Sequence, residues 1–234
     1  MVAFFEERCV IMNKISSGVT GLDEILGGGI PERSIMLLTG TCGAGKTIMG
    51  LQFLLASNEP GIYVSFEEEE DGIRETAKIF GWDIAKREAA GKFRILKYDP
   101  FRLEDILEVI ENNIREIGAK RVVFDSVAAL GIYLKEASEL RRMILQIDRI
   151  MKKNKCTTVI VSEIIPGSSS LSRFGVEEFV SDGVIVLDNI NVKGEYKRAV
   201  TVWKLRGVNH SRRMHPYNIT SRGIIIDPKN VFVK

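Results

Sequence analysis

Between residues 40 and 47 the chain reads GTCGAGKT, and no other stretch restricts its architecture as much. The pattern G-x-x-x-x-G-K-[ST] works as a tight turn between a buried strand and the first turn of a helix, because only there can successive backbone N–H groups face one anion together. Both flanks comply: the apolar run SIMLLTG precedes the turn, and an amphipathic segment over 45–57 follows it. Gly43 and Gly45 let the backbone curl, and a helix opening near Lys46 adds the positive end of its dipole. Lys46 is then expected to reach the β and γ oxygens of a polyphosphate, with Thr47 offering its hydroxyl to Mg²⁺. Thr41, Cys42, Ala44 and Ile48 complete the turn and the start of the helix, and are expected to line the same ligand.

The rest of the chain repeats that strand-then-helix grammar. Short apolar runs alternate with longer amphipathic segments: GIYVSF then 70–80, FRILKY then 102–117, RVVFDS then 136–154, then TTVIVSE. In 102–117, Leu103, Ile106, Leu107, Ile110, Ile114 and Ile117 recur at steps of three and four while acidic side chains fill the other face, and Gly118 stops the segment. Such alternation builds a mostly parallel sheet with helices on both faces, an α/β class. After residue 181 the texture changes to strands, with GVIVLDNI, a KGE turn and YKRAVTVWKL predicting an antiparallel hairpin extension. No linker divides the chain, so one domain is expected over 15–234, preceded by an N-terminal arm over 1–14.

Bulk properties remove several functional classes. Lys and Arg number 33 against 31 Asp and Glu, so a net charge of +2 provides no long-range field for gathering nucleic acid or anionic membrane. No run reaches the ~18 apolar residues of a membrane span, and Glu6 and Glu7 interrupt what a secretory leader would keep apolar. Cys9, Cys42 and Cys156 are widely spaced and odd in number, which argues against a disulfide framework and predicts a cytoplasmic location.

A magnesium-bound triphosphate needs an acidic anchor at the end of a neighbouring buried strand, and RVVFDS offers Asp125 there. The alternative for Asp125 is an ordinary cap of the following helix; beside the glycine turn, the metal role is favoured. A second acidic feature, SFEEEED over 65–71, follows the apolar run of Ile62, Tyr63 and Val64. Glu67 and Glu68, nearest the strand, would project over the carboxyl edge of the sheet, where one of them can orient an attacking water. Glu69, Glu70 and Asp71 have a plainer role in the first turn of the next helix, where acidic groups gain roughly 0.3–1 kcal/mol from the dipole.

These motifs resemble those of the RecA-like ATPases with a phosphate-binding loop, and within them the KaiC family. The leader SGVTGLDEILGGGIPERS, the strand YVSFEEEE, and the stretches LSRFGVEEFVSDGVIVL and KLRGVNHS carry the resemblance, which runs from Ile15 onward. It implies a slowly hydrolysing ATPase using ATP and Mg²⁺, with Glu67 as the main catalytic glutamate, Glu68 beside it, Thr47 and Asp125 around magnesium, and Lys46 on the phosphates. It further implies a homo-oligomer, a hexameric ring with nucleotide between subunits, in which a neighbour contributes Lys204, Leu205, Arg206 and His210. Thr220 and Ser221 are expected near the neighbour's ribose or base. Two positions depart from the family pattern: Ser221 stands where an aspartate is usual, and Ile79 where a serine is.

Rival readings are a nucleotide-gated module with negligible turnover and a DNA-dependent ATPase of the recombinase kind. The stretch IIPGSSSLSRF occupies the place of a DNA-binding loop, yet it holds only Arg173 as a cation and Phe174 as an aromatic, too little for a single-stranded nucleic acid. His210 and His215 lie five apart with no acidic or cysteine partner nearby, a weak metal pattern. The client protein and pathway are not encoded in any motif.

Overall fold

The computed structural model describes residues 12–99, 103–134 and 136–232; residues 1–11 of the expected arm, with Cys9, and the expected helix start at 102 lie outside them. A short pair opens the fold, β1 (Lys14–Ile15) with β2 (Ile30–Pro31), separated by α1 (Leu22–Ile25). Then come β3 (Ile35–Gly40), α2 (Lys46–Leu55), β4 (Gly61–Ser65), α3 (Glu70–Ile79), α4 (Ile84–Ala89), β5 (Phe93–Lys97), α5 (Leu103–Ile117), β6 (Arg121–Asp125), α6 (Val127–Ile132), α7 (Ala137–Lys153), β7 (Thr157–Val161) and α8 (Glu177–Val180). Strands β8 (Gly183–Val192), β9 (Glu195–Leu205), β10 (Met214–Thr220) and β11 (Gly223–Ile226) complete it.

A 9-stranded sheet runs in the order β11-β10-β9-β8-β3-β7-β6-β4-β5. From β8 to β5 all neighbours are parallel; β8 to β11 are antiparallel. The expected parallel α/β core and antiparallel extension are present, and a second hairpin, β10–β11, follows the first. The KGE turn closes the first hairpin with Lys193 at φ 53° and Gly194 at φ 89°, the mirror-type geometry that suits strand twist.

Two apolar layers follow from period-two alternation. Tyr63 and Val123 face one cluster with Leu51 and Phe53 of α2, whereas Ile62, Val64, Val122 and Phe124 face the other, under Ile110 and Ile114 of α5 and Ile144 and Ile147 of α7. Buried on both sides, the central strands read as near-continuous apolar runs, which made them legible.

Registers align the strand ends that matter. Ser65 pairs with Asp125, Phe124 with Ile160, and Leu38 with Val161, so the carboxyl ends of β4, β6, β7 and β3 form one edge. The opposite end of β8 pairs Gly183 with both Met36 and Leu205, which puts the end of β9 at the far edge.

Candidate functional site

The turn between β3 and α2 takes the expected shape. Gly43 and Gly45 adopt φ 73° and 94°, left-handed values that suit glycine. Gly45 is the N-cap of α2 and provides no side-chain cap, so the opening N–H groups of the helix face outward into the turn. Lys46 Nζ donates to the carbonyls of Gly40 and Thr41 at 3.1 Å each, which curls the ammonium over the turn.

Thr47 and Asp125, separated by 78 residues, meet across the sheet: Thr47 Oγ1 donates to Asp125 Oδ2 at 3.0 Å. The Tyr63 hydroxyl donates to the same oxygen. The alternative role for Asp125 as a helix cap belongs instead to Ser126, whose hydroxyl accepts from the Ala129 N–H to cap α6. Thr47 and Asp125 thus form a pair of hard oxygen donors beside the phosphate turn, a chemistry that fits Mg²⁺. Among the described residues no group of three or more His, Cys, Asp or Glu has metal-binding geometry. His210 Nδ1 faces the Ser211 carbonyl, and buried His215 faces Ser211 Oγ and the Asn230 carbonyl, so the two imidazoles have separate partners.

Past β4 the chain turns where Ser65 Oγ donates to the Glu68 carbonyl at 2.5 Å. Glu67 is brought to 3.5 Å from the Ser126 hydroxyl, hence beside Asp125. The Glu67 carboxyl is shifted above its usual range, first by partial desolvation, then by Glu163 and Asp125, with Ser126 and Arg173 opposing. Glu68 is raised by desolvation and then by Asp125. Asp125 is itself raised by burial, against the hydroxyls of Tyr63 and Thr47 and the Lys46 charge. Glu69 is the N-cap position of α3, and Glu70 and Asp71 sit in its first turn, clasping Arg74 at 2.8 and 3.0 Å.

Several supports of this edge were not singled out by motif. Glu163 lies two residues past the end of β7, and the next residue, Ile164, donates its N–H to the Gly40 carbonyl at 3.1 Å. Its carboxylate pairs with Arg173 at 3.2 Å, so the cation of the 164–174 loop is committed within the chain. Asn189 donates to Thr41 Oγ1 at 3.3 Å and to the Cys42 carbonyl at 3.4 Å, and Tyr217 donates to the Ala44 carbonyl at 2.5 Å. The antiparallel extension therefore braces the phosphate turn. Glu163 was visible within the TTVIVSE run; Asn189 and Tyr217 carried no local signal.

The remaining expected residues occupy other places. Lys204 donates to the carbonyls of Glu178 and Ser181 at 3.0 and 2.6 Å, and Arg206 to Asp182 and the Phe179 carbonyl at 3.3 and 3.2 Å, all at the edge opposite the chain's own phosphate turn. They line one concave surface with the exposed aromatics Phe179 and Trp203. The side chain of Leu205 is buried in the core, leaving only its backbone to offer. Thr220 and Ser221 cap the β10–β11 turn, whose Ile219 and Ile224 pack against Gly45 while Gln52 of α2 bonds both the N–H and C=O of Ile224. That tip stands on the chain's own phosphate helix. Ile79 is 76% exposed at the end of α3.

A parallel sheet with this turn at its centre and acids on adjoining strand tips defines a phosphate-loop protein of the RecA-like class. A family model described as the KaiC ATPase matches residues 15–231, and the chain belongs to that family. A UPF0273 protein of Pyrococcus furiosus is 40% identical over 241 residues, covering 94% of this chain and 96% of that protein. One from Thermotoga maritima is 40% identical over 238 residues, covering 93% and 97% respectively. The crystal structure of a KaiC-like protein from Pyrococcus horikoshii superposes with a TM-score of 0.85 at 37% identity, covering 93% of this chain and 100% of that one. No helix among the described residues is long and apolar enough to cross a membrane.

Proposed function

We propose that this chain is an ATPase that binds ATP with Mg²⁺ at the Gly40–Thr47 turn, hydrolyses it slowly, and works as a ring oligomer with nucleotide between subunits in a regulatory role. The observation that carries the reading is the convergence of Lys46 and Thr47 from the start of α2, Asp125 from the end of β6 and Glu67 from the turn after β4 on one sheet edge. The turn's N–H groups and the Lys46 ammonium bind the β and γ phosphates. Thr47 and Asp125 hold Mg²⁺, which when bound supplies charge neutralisation to the triphosphate. Glu67 accepts a proton from a water aligned behind the γ-phosphorus; the new P–O bond forms as the bond to the β-bridging oxygen breaks, and ADP leaves with that electron pair. A raised pKa suits Glu67 to this task, because a base works best with a pKa near the operating pH. Glu68 supports the negative rim.

Lys204 and Arg206 of a neighbouring copy, with the Leu205 backbone and His210, would face the same phosphates from across the interface. Their distance from the chain's own turn favours that use over any role within one subunit, and Arg206 would stabilise charge on the transferring phosphoryl group. Thr220 and Ser221 would approach the base end of the chain's own nucleotide. The Glu163–Arg173 pair removes the 164–174 loop's cation from service to DNA, which disfavours the recombinase reading.

The test is a thermal shift with Mg²⁺ and ATP alongside phosphate release. With ligand at ~100 times its Kd, stabilisation of about 2.7 kcal/mol is expected, and Lys46→Ala should abolish both the shift and the turnover. An undiminished shift in that variant would put ATP elsewhere.

A further inference from the structure

The Tyr63 hydroxyl is a buried polar group in the middle of an apolar strand, and it donates to the carboxylate assigned above to magnesium. A phenylalanine would fill the same volume without needing any partner, whereas a buried tyrosine hydroxyl has to find one. The ring is fixed from two sides. It belongs to β4, whose Ser65 registers with Asp125, and its Cε2 lies 3.8 Å from where a side chain at Gly50 of α2 would begin. That distance is ordinary van der Waals contact, so α2 packs beside the tyrosine ring, and α2 is the helix that carries Thr47.

Both hydroxyls, of Thr47 and of Tyr63, donate to Oδ2 of Asp125, and among the described residues no hydrogen bond reaches Oδ1. Two donors converging on one oxygen set the rotation of the carboxylate and direct the other oxygen away from the core. By donating its proton to Asp125, Thr47 also keeps its own oxygen lone pairs available.

We propose that Tyr63 is a positioning residue that holds the Asp125 carboxylate in the orientation needed to take up Mg²⁺. The inference rests on the ATP–Mg²⁺ reading above and adds to it a residue on a different strand from any metal donor. Outer partners of this kind set metal affinity by orienting the groups that contact the ion, typically by 10–100-fold.

Tyr63→Phe keeps the ring and removes only the donor. Mg²⁺ is titrated into the full chain with a fixed concentration of a non-hydrolysable ATP analogue, and the melting temperature is followed, so turnover plays no part. The expected result is a Mg²⁺ midpoint raised about tenfold or more, with a melting temperature in EDTA close to that of the unaltered chain. Asp125→Asn serves as the reference. If it raises the midpoint while Tyr63→Phe does not, the positioning role is wrong and the metal reading stands. If Tyr63→Phe lowers the EDTA melting temperature yet leaves the midpoint unchanged, the hydroxyl is structural only and the proposal is likewise wrong. If neither variant moves the midpoint, the assignment of magnesium to Asp125 fails and takes the role of Tyr63 with it.

Discussion

At Glu67 a carboxylate stands in company that works against its charge. Partial burial and the neighbouring Glu163 and Asp125 outweigh the help of Ser126 and Arg173, so its folded-state pKa lies above the unfolded value. The folded chain therefore holds a proton at Glu67 that the unfolded chain has released, and this group's contribution to stability is lost as pH rises through that window. Glu67→Gln removes the titration. In EDTA, urea unfolding at about pH 4 and about pH 7 should show the variant gaining stability relative to the unaltered chain as pH rises; a relative loss would mean the pKa is depressed instead. The local motif made Glu67 legible, but its company was not. The partners of Asp125 and Glu67 sit 62 and 59 residues away in Tyr63 and Ser126, and no spacing rule reports such pairs. The capping role weighed for Asp125 fell to the adjacent residue, since the Ser126 hydroxyl caps α6.

Elements with strong periodicity could be read directly: β3, β4, β6, β7 and α2, α3, α5 and α7 fall within a residue or two of where apolar spacing predicts them. The short helices α4, α6 and α8 were not foreseen, because four to six residues give too few turns for a pattern to emerge and tertiary packing decides their conformation. The role of the second hairpin was equally hidden. Its attachment to the phosphate helix passes through Gln52, a buried side chain whose amide bonds both backbone groups of Ile224 at 3.2 and 2.7 Å. Gln52→Leu preserves bulk while orphaning a buried N–H and C=O. The expected cost is about 2 kcal/mol of unfolding free energy, measured by denaturant titration, with weaker nucleotide binding as the Thr220–Ser221 tip loosens. A cost near zero would mean the hairpin is held mainly by Ile219 and Ile224.

At the scale of the whole molecule, the carboxyl edge of the sheet carries the phosphate turn, Asp125 and Glu67, and the far edge carries Lys204 and Arg206. Under the proposed function, a complete site would take two copies in head-to-tail contact, the heterologous arrangement that closes into rings. Arg206→Ala and Glu67→Gln subunits, each slow alone, should recover turnover when mixed, since some interfaces then join an intact Glu67 to an intact Arg206. No recovery would place the action of Arg206 within its own subunit. Under the proposed function, turnover hangs on Glu67 orienting the attacking water at the strand tip. Phosphate release by Glu67→Gln under saturating Mg²⁺ and ATP should fall by about 100-fold or more while the ATP-induced thermal shift survives; release at the unaltered rate would contradict the account.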